Sequence, residues 1–159
     1  MLQLAVFLPV IAMFFIPFLR KNFKNIHTGK FVIIVPLILF GYFVSNIKNI
    51  YSGGTIYKKL AFVSNAGLDI NLNLDGLSLL FSLLITGIGT LVILYSCYYM
   101  SITDEKLHKF YIFLLIFMSA MLGVVLSDNM LSMYMFWEMT SVSSFLLISY
   151  WHENDASRR

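Results

Sequence analysis

Glu138 is the residue whose type and position call for a chemical explanation. Of the eight acidic residues in the chain, seven lie in polar stretches, at the edges of apolar ones or near the C-terminus. Glu138 alone falls inside a long apolar run, eight residues after Met130 and 13 before Trp151. At about 1.5 Å per helical residue it sits roughly 12 Å and 20 Å from the two ends, too deep to snorkel to water. An ionised acid at that depth costs at least about 2.5 kcal/mol unless it faces a partner or a hydrated cavity. Burial alone favours the neutral acid and a neighbouring cation favours the carboxylate, so the group changes charge when a neighbour moves or titrates. That is the requirement for a proton relay. Tyr134 at i−4 and Ser141 at i+3 share its helix face and offer hydroxyls that could bond the carboxylate or order water. The competing reading is a structural glutamate, protonated and bonded to a neighbouring helix.

The elements that must carry Glu138 follow from composition. With 59% hydrophobic residues, 12% charged residues and a mean hydropathy of +0.82, the chain lies outside the range of soluble domains. The charges are clustered, which leaves five stretches able to span a bilayer, a task needing roughly 20 mostly apolar helical residues and at least about 17. The expectation is an all-α membrane protein, a single membrane domain over 1–159 with helices near 2–19, 31–47, 76–100, 110–127 and 130–151 and an outer loop over 48–75. No Lys, Arg or His lies in these five spans, so any basic partner of Glu138 comes from elsewhere.

The net charge of +3 could point to nucleic acid, but no basic and aromatic interleaving supports such a partner. Topology explains the basic residues better. Arg20, Lys21, Lys24, Lys30, Lys106, Lys109, Arg158 and Arg159 lie on one side of the alternating spans, against Lys48, Lys58 and Lys59 on the other. Eight against three orients the N-terminus outside and the C-terminus in the cytoplasm. No basic residue precedes the first apolar run and the cluster follows it, which favours a retained helix over a cleaved signal.

Between spans two and three, Leu68, Ile70, Leu72 and Leu74 alternate with Asp69, Asn71, Asn73 and Asp75, the period of a half-buried strand. Ile56–Val63 is its expected partner across Ser64-Asn65-Ala66-Gly67, giving a small extracellular β-hairpin. Asp75 before Gly76-Leu77-Ser78 reads as a helix N-cap, and Asp128 before the fifth helix reads the same way. Ser78, Ser82, Thr86 and Thr90 form one stripe, and Ser119, Gly123 and Ser127 another, suited to close helix approach with hydroxyls bonding across the contact; a path for ions along them is the minor alternative. Pro9, Pro17 and Pro36 kink their helices. Tyr95, Tyr98, Tyr99, Tyr150 and Trp151 read as an interfacial belt, His27, His108 and His152 as loop residues, and Cys97 as filler. No zinc spacing, phosphate loop, nucleophile elbow or CxxC pair occurs; Gly87-Ile88-Gly89 lacks the strand and turn context of a phosphate loop. No cofactor or metal is expected.

Asp75-Gly76-Leu77-Ser78, Ser127-Asp128-Asn129 and Phe136-Trp137-Glu138-Met139-Thr140-Ser141, followed by Ser144-Phe145-Leu146-Leu147-Ile148, resemble the antiporter-like subunits shared by Mrp-type cation/proton antiporters and respiratory complex I, with the likeness leaning to the A-subunit branch of Mrp. It runs from about residue 70 to 155 and is weaker before. Met139 stands where leucine is common. The resemblance implies that Glu138 pairs with a lysine on a broken seventh helix, and that modulating this pair drives protons through a chain coupled to sodium export. Family members carry about fourteen helices or more, so the chain reads as an N-terminal fragment or a truncated reading frame without transport of its own.

The expected function is therefore monovalent cation (Na+)/proton antiport within a multisubunit complex of the bacterial plasma membrane, with Glu138 in the proton path. The partners are other antiporter subunits, the lipid bilayer, protons and sodium. The alternatives are a proton-pumping subunit of a complex I-like dehydrogenase or membrane hydrogenase, and an inactive remnant.

Overall fold

The computed structural model describes residues 2–22, 28–63, 68–100 and 107–149. Its elements are α1 (Leu2–Asn22), α2 (Gly29–Val32), α3 (Ile34–Tyr51), β1 (Ile56–Val63), β2 (Leu68–Leu74), α4 (Gly76–Tyr99), α5 (Leu107–Leu126) and α6 (Met130–Ser149). Short α2 continues into α3 through a break at Ile33, because Pro36 has no N–H for the Val32 carbonyl one turn earlier. Counting that pair as one rod, the described residues form five helices and a hairpin. Four rods, Gly29–Tyr51, Gly76–Tyr99, Leu107–Leu126 and Met130–Ser149, are long and apolar enough to cross a bilayer, while α1 is apolar over Leu2–Pro17.

Several helices overrun their expected ends. The second rod starts at Gly29 and reaches Tyr51, so the loop expected from residue 48 begins only at Ser52. Two polar residues, Ser45 and Asn46, lie inside this rod. The Ser45 hydroxyl donates to the Gly41 carbonyl (2.8 Å) and the Asn46 amide to the Tyr42 carbonyl (2.7 Å), so both satisfy themselves on their own helix. Helix α5 takes in His108 and Lys109, so His108 is helical rather than in a loop. His27, His152, Tyr150, Trp151 and the hairpin turn at 64–67 lie outside the described residues.

The hairpin forms with the expected strands. β1 and β2 pair antiparallel from Ile56↔Leu74 to Val63↔Leu68, with an irregularity between Ala61 and Val63. Leu72 and Leu74 are fully buried, which seats one face of β2 on the helix ends. The sheet is extended by the α5–α6 connection: Leu72 bridges Ser127, and the Asp128 N–H donates to the Asn71 carbonyl at 2.9 Å. Gln3 on α1 reaches the Lys59 carbonyl at 3.4 Å.

The core centres on α5, which packs against α1, α4 and α6, while α3 packs on α4. Small residues set these contacts. The Ser119 hydroxyl donates to the Val6 carbonyl of α1 at 2.6 Å, next to the Ala5 carbonyl for which Pro9 has no N–H. The α4 stripe behaves differently from expectation. Ser78, Ser82 and Thr86 are buried, but Thr86 donates to the Ser82 carbonyl and Thr90 to the Thr86 carbonyl, each at 2.7 Å on their own helix. A hydroxyl four residues on from a carbonyl is already within reach of it, so back-bonding precedes any bond across the interface.

Asp75 caps α4 as expected. Its carboxylate accepts from the Ser78 N–H (2.8 Å), and the Ser78 hydroxyl accepts from the Asp75 N–H (2.8 Å), a reciprocal capping box. The Ser78 N–H and then its hydroxyl hold the Asp75 carboxyl below the ordinary carboxylate range. Asp75→Ala is expected to destabilise the fold by about 1 kcal/mol. A depressed folded pKa stabilises above the unfolded value of about 3.9 and loses that contribution as pH falls through the folded value. Unfolding of wild type and variant should therefore differ at pH 7 and converge at the acid end.

Candidate proton site on helix six

The N-terminus of α6 is capped by Asn129, whose side-chain oxygen accepts the Leu131 N–H at 2.9 Å. This corrects the assignment of the cap to Asp128, whose backbone is committed to β2 instead. Both residues have capping side chains. The bridge to the hairpin decides which one stands at the helix start.

Ser132, Phe136 and Ser143 are the buried residues of α6. Phe136 fills the space over Gly123 on α5, where a Cβ would overlap the aromatic ring. Glu138 follows Phe136 by two residues, about 200° around the helix, so its side chain points away from α5 and is exposed on this chain. Tyr134 and Ser141 lie on the same exposed side. The Tyr134 hydroxyl is hydrogen-bonded to the Glu138 carboxylate. Ser141 does not join them: its hydroxyl turns back to the Trp137 carbonyl at 3.5 Å, which also accepts from Thr140 at 2.6 Å.

Around this pair the surface is apolar. Met135, Trp137, Val142 and Phe145 are all exposed, and α6 contains no Lys, Arg or His. Among the described residues, no group of three or more His, Cys, Asp or Glu could hold a metal. A second polar cluster escaped the sequence reading. The Ser96 hydroxyl donates to the Tyr111 hydroxyl at 3.0 Å, with the Cys97 sulfur 3.8 Å from the same oxygen. Tyr111 is fully buried, and a Cβ on Gly29 would overlap its hydroxyl. Cys97 thus sits in a polar helix contact rather than serving as plain filler. The 14-residue separation between Cys97 and Tyr111, which lie on different helices, gave no local signal. Tyr95 and Tyr99 stack at 5.5 Å and, with Tyr98, are exposed, as an interfacial belt requires.

Known proteins share this sequence and fold. The family model described as NADH-Ubiquinone oxidoreductase (complex I), chain 5 N-terminus matches residues 61–111, and that described as NADH:quinone oxidoreductase/Mrp antiporter, TM matches residues 127–159. Over 157 residues, 99% of the chain, the sequence is 55% identical to Na(+)/H(+) antiporter subunit A1 of Staphylococcus haemolyticus and 54% identical to that of Staphylococcus aureus. It covers 19% and 20% of these two relatives, so the chain spans about a fifth of their length. They are named as transporter subunits, not enzymes. The fold matches the Mrp complex from Dietzia sp. DQ12-45-1b with a TM-score of 0.78 at 24% identity, over 93% of this chain and 16% of that one. It matches the membrane-bound sulfane sulfur reductase, an archaeal respiratory membrane complex, with a TM-score of 0.72 at 23% identity, over 91% and 29%. The chain is a multi-pass membrane protein that belongs to the antiporter-like subunit family shared by Mrp antiporters and complex I, and it carries that family's N-terminal part.

Proposed function

We propose that this chain serves monovalent cation/proton antiport, with sodium as the cation, inside a multisubunit membrane complex, and that Glu138 lies in the proton path. One observation carries the reading. Glu138 is the sole acid within the described membrane helices, and it stands with the Tyr134 hydroxyl on the α6 face turned away from the other helices. A carboxylate kept there at a cost of at least about 2.5 kcal/mol needs a partner supplied by another part of the assembly. Ser141, bonded to its own backbone, supports the helix locally and could reach the carboxylate only by changing rotamer.

The basic residues orient the N-terminus and the hairpin: under the positive-inside rule both lie outside and residues past α6 lie in the cytoplasm. The five rods and the hairpin then act as one membrane domain. Identity of 55% to an antiporter subunit favours exchange over the respiratory alternative. The test is sodium-induced release of a preformed pH gradient in inside-out vesicles holding the complete complex with the full-length protein. Exchange without added reductant supports antiport. Proton movement that requires a reductant and a quinone would replace it with the respiratory reading.

A further inference from the structure

Two hydroxyls on α6 compete for one carbonyl beside Glu138. The helix ladder brings the Ser141 N–H to the Trp137 carbonyl, which leaves that oxygen one further lone pair. Thr140 takes it. Its hydroxyl donates to the Trp137 carbonyl at 2.6 Å, whereas the Ser141 hydroxyl reaches the same oxygen only at 3.5 Å, the outer limit of a hydrogen bond. Later on the helix such back-bonds are close: Ser143, Ser144 and Ser149 donate to carbonyls of their own helix at 2.7, 3.0 and 3.0 Å. Ser141 is therefore weakly held. It follows Glu138 by three residues, which puts the two Cβ atoms about 5–6 Å apart on one face, and a helical side chain leans back over the preceding turn. Both residues are exposed, with room for the hydroxyl to turn from the carbonyl to the carboxylate.

We infer that Thr140 is a positioning residue for the Glu138 site: by occupying the Trp137 carbonyl it keeps the Ser141 hydroxyl free to donate to the Glu138 carboxylate, alongside the Tyr134 hydroxyl already bonded there. The inference rests on Glu138 lying in the proton path. A hydroxyl bonds an ionised acceptor about twice as strongly as a neutral one, so Ser141 turns to the carboxylate when Glu138 is charged and gives up only a long bond. Once Glu138 is protonated it is a weaker acceptor, and Ser141 falls back to the carbonyl. Removing the Thr140 hydroxyl changes this balance. The Trp137 lone pair opens, Ser141 closes to the distance that its neighbours on the helix show, and leaving that carbonyl then costs a full neutral hydrogen bond.

The test measures sodium-driven proton exchange per assembled complex, in inside-out vesicles holding the complete complex with the full-length protein. Ser141→Ala removes the donor and is expected to lower exchange about tenfold, the lower end for a hydrogen bond to a charged group. Thr140→Val keeps the shape without the hydroxyl and should lower exchange about fivefold, the worth of the neutral bond that then holds Ser141. Thr140→Ser should stay near wild type. The double variant separates positioning from plain helix support: if Thr140 acts through Ser141, Thr140→Val adds nothing to Ser141→Ala, whereas independent losses multiply to about fiftyfold. A fiftyfold loss overturns the proposal, and so does normal exchange in either single variant. Glu138→Gln is measured alongside. If it abolishes exchange while Ser141→Ala and Thr140→Val leave exchange normal, the proton path stands and only the role of Thr140 falls; normal exchange in Glu138→Gln overturns both.

Discussion

Replacing Glu138 by Gln in the full-length protein is expected to abolish sodium-driven proton exchange while leaving the complex assembled. Glutamine keeps the size and hydrogen-bonding shape of the protonated acid but cannot release a proton. Removing a positioned proton-transfer group costs about 10² to 10⁴ in rate, so inside-out vesicles should lose at least about 99% of exchange. Assembly should survive because Glu138 faces away from α5 and contributes nothing to the buried side of α6, which rests on Ser132, Phe136 and Ser143. Tyr134→Phe separates the relay from its support. It removes the hydroxyl bonded to the carboxylate and leaves the titratable group in place. A hydrogen bond to a charged group is worth roughly 1.5 kcal/mol at the lower end, so a loss of about tenfold is expected. Normal exchange in Glu138→Gln would remove the glutamate from the proton path, and loss of the assembled complex would make it structural.

The hairpin was legible because its signal is local: alternation over Leu68–Leu74 gave the strand, the two strands pair as expected, and Leu72 and Leu74 are buried while Asn71 and Asn73 are only partly so. The Asp75 cap was legible for the same reason, since its partner Ser78 is three residues away. The cap at Asp128 misled because a long-range contact decides it; the backbone bond to Asn71 joins residues 57 positions apart in sequence. The far end of the second rod was less legible, since the helix runs on to Tyr51 past the expected end at 47, while Ser45 and Asn46 satisfy themselves on its own backbone. For the site, cost and depth singled out Glu138, and spacing singled out Tyr134. The direction in which Glu138 points was hidden. A helix apolar all round gives no sign of which side meets its neighbour, and only the fit of Phe136 over Gly123 fixes the rotation.

That fit makes Gly123→Ala the second substitution with a large expected effect. Alanine is the better helix former by about 1 kcal/mol, which on an isolated helix would stabilise α5. The added Cβ, however, overlaps three atoms of the Phe136 ring, a rigid group buried to 6% exposure between helices. A flat ring cannot yield as a flexible side-chain tip does, so α6 must shift or the ring must leave its rotamer. Overpacking of this kind costs about 1–3 kcal/mol and occasionally more, which outweighs the propensity gain. The full-length protein should unfold at lower denaturant, and because the ring is two residues from Glu138, exchange per folded molecule should fall too. Gly123→Ala combined with Phe136→Leu should recover part of the stability, since the smaller side chain yields to the new methyl. A double-mutant cycle measures that coupling, expected at about 1 kcal/mol or more for residues in direct contact. Strict additivity would mean that Gly123 and Phe136 do not set the rotation of α6, and the outward aim of Glu138 would then need another cause.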